Sequence, residues 1–450
     1  MGSLQTGQAP RAGWAQPIPA KAAWHLFKDM FLSLNRLVAY SKLFSSSPMG
    51  RGATGHAVAT TTAGEAVQAF VPNPLPPVPP LAWSPSLRAL HDAALLACGR
   101  LDGVSMQVPT LDLFLYAYVR REALLSSQIE GTQSSLSDLL VFELNEAPGV
   151  PWADVVEVSS AVAALEYGLR RLAGGFPLSS RLLREVHGVL LARGRGSNQV
   201  AGEFRRSQNW IGGTRPGNAH FVPPPPECVA HCIADLERFI HAEDDVPALV
   251  KAALAHVQFE TIHPFLDGNG RLGRVLITMM LVDFRVLRQP LLYLSLFFKQ
   301  HRSQYYALLD QVRQEGDWEA WLAFFLEGVQ QTAAAAVAMV RRLQELFERD
   351  EARLAQADLG RSGLSVRQVF QALCQRPLTS INALKEQAGV SFPTAAKAMD
   401  HLVALGIARE TTGGRRNRLF AYDAYLAILS EDGEPLGRVP SWQQRRDVQG

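Results

Sequence analysis

From Ser84 to about Asp350 the apolar residues recur with helical spacing, and this periodicity limits the fold more than any other feature. Leu111, Phe114, Leu115 and Tyr118 fall at i, i+3, i+4 and i+7, one buried helix face. Leu322 to Leu326 and Ala334 to Leu354 also read as helix. Strand signals are scarce. The clearest is Asn218 to Val222, before the prolines 223–226, which is expected to form a short edge strand or hairpin arm. A mainly α fold follows. The 450 residues are 47% hydrophobic and 19% charged, which excludes a rod, a collagen or a wholly disordered chain. The longest unbroken apolar run, Ala333 to Val340, is far short of the ~20 residues of a membrane span. The four cysteines are too few for a disulfide scaffold, so a cytoplasmic location is expected.

Charge divides the chain. The formal balance is only +2, but residues 1–60 hold six Lys or Arg against Asp29 alone. Trp24 to Leu34 reads as a short amphipathic helix there. A transit or membrane-surface segment has that pattern, and so does a flexible extension, which is the reading adopted for residues 1–70. The prolines of 71–80 favour an extended arm packed along a surface over an SH3-type ligand. After Leu359 the chain turns basic again: residues 361–430 carry nine Lys or Arg against four acids. Helical patterns at Val366–Cys374, Ser380–Ala388 and Pro393–Leu405 precede two strand-like runs, Ile407–Thr411 and Arg418–Tyr422, joined by the turn at 413–416. That order resembles a winged helix-turn-helix.

The segment from Thr261 to Arg274 carries the chemistry. Gly268 and Gly270 flank Asn269 and let the backbone turn tightly, and helical spacing then begins at Arg271. Free N–H groups at a helix N-terminus favour an anion. Arg271 and Arg274 are three apart and can present two guanidiniums to one polyphosphate. Asp267 is a hard oxygen ligand beside them, and one carboxylate suffices for Mg²⁺ shared with phosphates. His263 has a ring suited to take a proton from a hydroxyl near neutral pH.

This segment, His263-Pro-Phe-Leu-Asp-Gly-Asn-Gly-Arg-Leu-Gly-Arg274, resembles the signature of the Fic (filamentation induced by cyclic AMP) family at every defining position. The resemblance implies a helical core with a β-hairpin flap that binds ATP and Mg²⁺ and transfers AMP to a protein Tyr, Thr or Ser hydroxyl. It would make His263 the general base, Asp267 the metal ligand, and Gly268, Asn269 and Gly270 the phosphate nest. Arg271 would hold the phosphates, Arg274 the γ-phosphate, and Phe265 would anchor the loop by burying its ring.

Ser126-Ser-Gln-Ile-Glu130-Gly131 resembles the family's inhibitory pattern. Ser126 and Glu130 share a helix face, and Glu130 is expected to pair bidentately with Arg274, displacing the γ-phosphate. Some such proteins also use the glutamate to remove AMP. Gly202-Glu-Phe-Arg205 and 218–226 resemble the lead-in and flap, with His220, Phe221 and Val222 clamping the target and nucleotide. Tyr305 is a candidate adenine neighbour, its alternative a core aromatic stripe. Arg205 is expected to be a structural ion-pair partner, His256 a satisfied core histidine, and Cys228 and Cys232 small buried hydrophobes rather than metal ligands.

The expected organisation is an extension (1–70), an N-terminal helical region with the inhibitory helix (71–177), a catalytic core (178–332), a helical linker (333–360), the winged helix-turn-helix (361–430) and a flexible tail (431–450). The leading reading is an autoinhibited protein adenylyltransferase. The alternative is a DNA-binding regulator, contacting DNA through residues 361–430, whose core only senses nucleotide; transfer of UMP is a third. A homodimer is implied by resemblance.

Overall fold

The computed structural model describes residues 51–107, 111–144, 152–194, 200–413 and 417–430, all within one compact unit of the chain. The helix expected in Trp24–Leu34, Arg415, Arg416 and the tail after residue 430 lie outside the described residues, as do the side chains of Leu111 and Phe114. The described residues are mainly helical.

A β-hairpin comes first, β1 (Gly55–Thr62) and β2 (Glu65–Pro72), in antiparallel register from Gly55 opposite Pro72 to Thr62 opposite Glu65. This corrects the reading of residues 1–70 as an extension throughout. Val58, Val67 and Phe70 suit a pleated surface, but the strands alternate only weakly and gain order from distant partners. The proline arm then lies along the protein as expected: Arg51 donates to the carbonyls of Pro79 and Pro80 and pairs with the buried Glu319 carboxylate at 2.5 Å.

The helices that follow are α1 (Pro85–Gln107), α2 (Leu111–Ile129), α3 (Leu136–Glu143), α4 (Trp152–Ala173) and α5 (Ser180–Leu190). Next come α6 (Pro226–His241), α7 (Ala248–Ile262), α8 (Asn269–Asp283), α9 (Leu294–Gln300) and α10 (Arg302–Glu315). Ser135 caps α3 with a capping box through Asp138, and Ser179 caps α5. Helix α7 is buried almost all round, as a central core helix must be, and packs against α8.

Helix α11 (Trp318–Gln356) joins the two helical stretches read at 322–326 and 334–354 into one of 39 residues. Its length and apolar composition alone would let it cross a bilayer. Instead its apolar face is spent on packing against α1 and the core, where Trp321, Phe324 and Phe325 are wholly buried. Burying each such ring contributes about 1.5–3 kcal/mol.

The C-terminal block contains α12 (Gly363–Gln375), β3 (Leu378–Ser380), α13 (Ile381–Ala388), α14 (Phe392–Ala404), β4 (Arg409–Glu410), β5 (Leu419–Ala421) and α15 (Asp423–Ser430). Its first three helices and last two strands fall where the sequence placed them, and α15 was not foreseen. β3 was not foreseen and completes a sheet of order β3-β5-β4. Gly389, at φ 65°, ends α13 in the left-handed conformation a turn there requires. The block is fixed to α11 by the Tyr422 hydroxyl, which donates to Asp350 at 2.7 Å, and it reaches α2 through Arg376 over the Tyr116 ring.

Candidate active site

Helix α7 stops at Ile262 because His263 precedes Pro264, and a residue before proline is disfavoured in the right-handed helical region. His263 takes the left-handed conformation, φ 49° and ψ 59°, which is costly for a residue with a Cβ. Arg205 holds it there, donating to the carbonyls of His263 (2.9 Å), Ile262 and Pro224. These carbonyls replace the acidic partner expected for Arg205. Next, Phe265 is fully buried as expected. Its N–H donates to Asn269 Oδ1 (2.9 Å), and Asn269 Nδ2 and Asn209 Nδ2 donate back to its carbonyl. Gly268, at φ 77°, then starts α8.

His263 is half-buried, its Nδ1 buried and without a hydrogen-bond partner among the described residues. Desolvation, with the Arg205 and Arg313 charges, pushes it down to about 3, so it is neutral at pH 7 and has a lone pair to offer. Asp267 lies at the surface end of the loop, its side chain 38% exposed, with Oδ1 accepting the Gly268 N–H at 2.6 Å. No group of three or more His, Cys, Asp or Glu suited to a metal occurs among the described residues. A single half-open carboxylate beside an anion nest fits Mg²⁺ held jointly with phosphate oxygens, and does not fit a cation caged by protein alone. Cys232 is buried and Cys228 partly buried on α6.

The two arginines are both buried and both paired. Arg274, 2% exposed, donates through Nε to Ser126 Oγ (2.8 Å) and through Nη2 to the Ser126 carbonyl (2.9 Å) and Glu130 Oε1 (2.6 Å). The expected bidentate pair with Glu130 is thus a single carboxylate contact, with Ser126 taking the other donors. Glu130 and Gly131 leave the end of α2, Gly131 turning at φ 102°. The Glu130 carboxylate lies over the first turn of α8. A Cβ added at Gly270 would meet Glu130 Oε1 at 2.3 Å, which is why only glycine fits. Burial alone would push Glu130 up, but Arg274 and Arg271 outweigh it and hold the carboxyl below its ordinary range. The first turn of α8 therefore faces an anion, and that anion belongs to the chain.

Several residues of the site were not foreseen. Glu157 of α4 pairs with Arg271 at 2.6 Å, both side chains 4% exposed. Glu260 lies beneath Gly273, and Glu122 takes the Ser295 hydroxyl; burial pushes each carboxyl up to about 7. His187 stacks on Phe265 and reaches the Asp267 carbonyl. No local pattern marks these residues, which come to the site from other helices.

The flap departs from expectation. Asn218 closes a 3-10 turn that begins at Pro216, and the only ladder contact is the bridge Ile211–Phe221. Pro216 and Pro223–Pro226 lack the N–H groups that a longer strand needs. The Val222 carbonyl accepts the Phe70 N–H (2.9 Å), and Val222 packs with Val67 and Ala69, so β2 of the chain itself occupies that edge. Phe221 lies against Arg313 (4.1 Å) and Phe70, while His220 is exposed and pairs with Asp310. Tyr305 is also corrected. Its ring is 1% exposed, stacked near Phe298 and Trp321, and its hydroxyl donates to His256 Nε2 (2.8 Å). Tyr305 is core and offers adenine no face. His256 is satisfied as expected, its Nδ1–H going to the Gly273 carbonyl.

Comparison with known proteins bears on this site. The Fic/DOC family matches residues 177–281, and the Fic/DOC family N-terminal region matches residues 88–170. A protein adenylyltransferase Fic of Drosophila grimshawi is 30% identical over 203 residues, 45% of this chain and 36% of the relative. Another, of Culex quinquefasciatus, is 34% identical over 152 residues, 33% of this chain and 27% of the relative. The matched part thus spans about a third of the length of these curated relatives. A crystal structure of a Fic family protein from Desulfovibrio desulfuricans G20 aligns with 76% of this chain and 97% of its own, at 21% identity and a TM-score of 0.49.

Proposed function

Because the chain belongs to the Fic/DOC family, we propose that it is an autoinhibited protein adenylyltransferase, moving AMP from ATP to a Tyr, Thr or Ser hydroxyl of a protein, itself included. One observation carries this reading: the Glu130 carboxylate on Gly270 and Arg274, an anion seated in a helix N-terminus suited to phosphate.

When Glu130 leaves, the first turn of α8 is open to phosphate oxygens, and Arg274 is free for the γ-phosphate. Neutral His263 takes the proton of the target hydroxyl as that oxygen bonds to the α-phosphorus. The bond from the α-phosphorus to the α–β bridging oxygen breaks, and pyrophosphate leaves with its charge met by Arg274 and the helix N-terminus. Asp267 would hold Mg²⁺, which when bound neutralises phosphate charge. Glu157 holds the Arg271 guanidinium in place while the site is closed. The test is transfer of radiolabel to protein by Glu130→Gly. Label from the α-position of ATP should be incorporated and label from the γ-position should not; the reverse would replace this reading with phosphorylation.

Less supports a purely DNA-binding regulator. We read residues 361–430 as a winged helix-turn-helix, with Lys397 exposed on α14. Yet Arg409 pairs with Asp423, and Arg418 with Glu410 and Asp400, so acids of the same block offset part of its basic surface. Salt-dependent retention of the full chain on duplex DNA would favour the regulator, and no retention at low salt would remove it.

A further inference from the structure

We infer that His187 is a positioning residue for Asp267: it fixes the backbone from which that carboxylate projects, and so sets how tightly the site gathers the divalent cation of a nucleotide. This rests on the adenylyltransferase reading. His187 lies on α5, far in sequence from the loop it serves, and is 1% exposed.

Both ring nitrogens are engaged by main chain from separate segments. Nδ1 accepts the Gly202 N–H at 2.9 Å, which leaves the proton on Nε2, and Nε2–H donates to the Asp267 carbonyl at 3.0 Å. One tautomer satisfies both bonds. The ring also stacks face to face on Phe265, centroids 3.7 Å apart and planes 12° apart. Gly202 makes the approach possible: it sits at φ 79°, and a Cβ there would meet the Arg184 carbonyl at 3.0 Å.

Beyond His263, which Arg205 holds, the loop is held at two residues. Asn269 holds Phe265, and His187 holds Asp267. Among the described residues the Asp267 carboxylate has little to orient it, only the adjacent Gly268 N–H and Arg271 at 3.5 Å. Its direction is therefore inherited from its backbone, and the backbone is set by the imidazole. Partners of this kind behind a metal ligand typically change affinity 10–100-fold when lost.

The test uses the full chain with Glu130→Gly as parent. Mn²⁺ binding is read by electron paramagnetic resonance with the α,β-methylene analogue of ATP present. His187→Phe keeps a ring on Phe265 and loses both hydrogen bonds, and should weaken Mn²⁺ about 10–100-fold. Binding of the analogue without metal should hold. His187→Gln keeps an N–H donor and should recover part of the loss; should His187→Phe not fold, this variant decides, its Mn²⁺ affinity lying below the parent's. Mn²⁺ affinity equal to the parent's in the folded variants, whatever their melting temperatures, overturns the assignment of His187 alone. A parent that binds no Mn²⁺ with the analogue overturns the adenylyltransferase reading and this inference with it.

Discussion

The loop from His263 to Gly268 and the flap from Asn209 to Val222 approach each other through Asn209, which donates to the Phe265 carbonyl, but they are held by different kinds of contact. In the loop and the first two turns of α8, Phe265, Asn269, Arg271 and Arg274 are at most 3% exposed, and each has a fixed partner. The flap has one β-bridge, and its outer pairs are open to water: the side chains of Arg215 and Glu65 are 60% and 31% exposed, and that of His220 is 64% exposed. Buried, fully partnered groups are preorganised, whereas exposed pairs open at little cost. The difference separates a preorganised loop from a flap whose outer contacts open at little cost, and it ranks the consequences of mutation.

The largest effect belongs to the loop. In the Glu130→Gly background, His263→Ala should lower transfer of label from α-labelled ATP by ~10²–10⁴-fold. The same background tests the ring's environment. Because its folded value lies well below the ordinary ~6.5, the ring stays neutral as pH falls, and the acid limb of kcat/KM should lie below that value. A limb centred at the ordinary value would mean that Arg205 and Arg313 do not act on the ring as described.

Next comes the latch. Glu130 is partly exposed, so releasing Arg274 lies between the ~1 kcal/mol of a surface pair and the ~3–5 kcal/mol of a buried one. Glu130→Gly should raise initial labelling rates roughly 10- to 100-fold over the parent chain. An unchanged rate would leave Glu130 as a helix-end carboxylate with no inhibitory role.

Smaller again is Tyr305→Phe, which strands His256 Nε2 and should cost about 1–3 kcal/mol, read as a melting temperature lower by a few degrees. ATP affinity should not move; a fall would return the ring to the nucleotide pocket. The smallest effect is expected of Glu65→Ala. Removing the exposed pair with Arg215 should cost less than about 1 kcal/mol, while hydrogen exchange at Phe70 quickens. A large loss of stability there would make the hairpin and flap as rigid as the loop.

What the sequence revealed follows the same division. The loop was legible because its instructions lie within twelve residues: proline stops a helix, glycines turn, and two arginines share a face. The Ser126–Glu130 pair was legible at helical spacing, although not that Ser126 would share the Arg274 donors. In residues 361–430 the three helices and two strands that were read are present because each local pattern agreed with its tertiary role, while β3 and α15 were missed. The hairpin of residues 55–72 was missed because weak alternation among alanines and threonines gains order only from Val222 and Arg215. Glu157, Glu260 and His187 were missed for the same reason: each lies in an unremarkable helix and matters only through a partner contributed by another element. Tyr305 went wrong because a ring stripe has one pattern for core and for ligand pocket, and burial alone separates them.

Intact mass spectrometry after incubation with ATP and Mg²⁺ tests the account at its root. The Glu130→Gly chain should gain the mass of one or more adenylates, the parent chain few or none, and Glu130→Gly with His263→Ala none. A Glu130→Gly chain that stays at its starting mass, together with every protein offered to it, or that gains only phosphate, would contradict it.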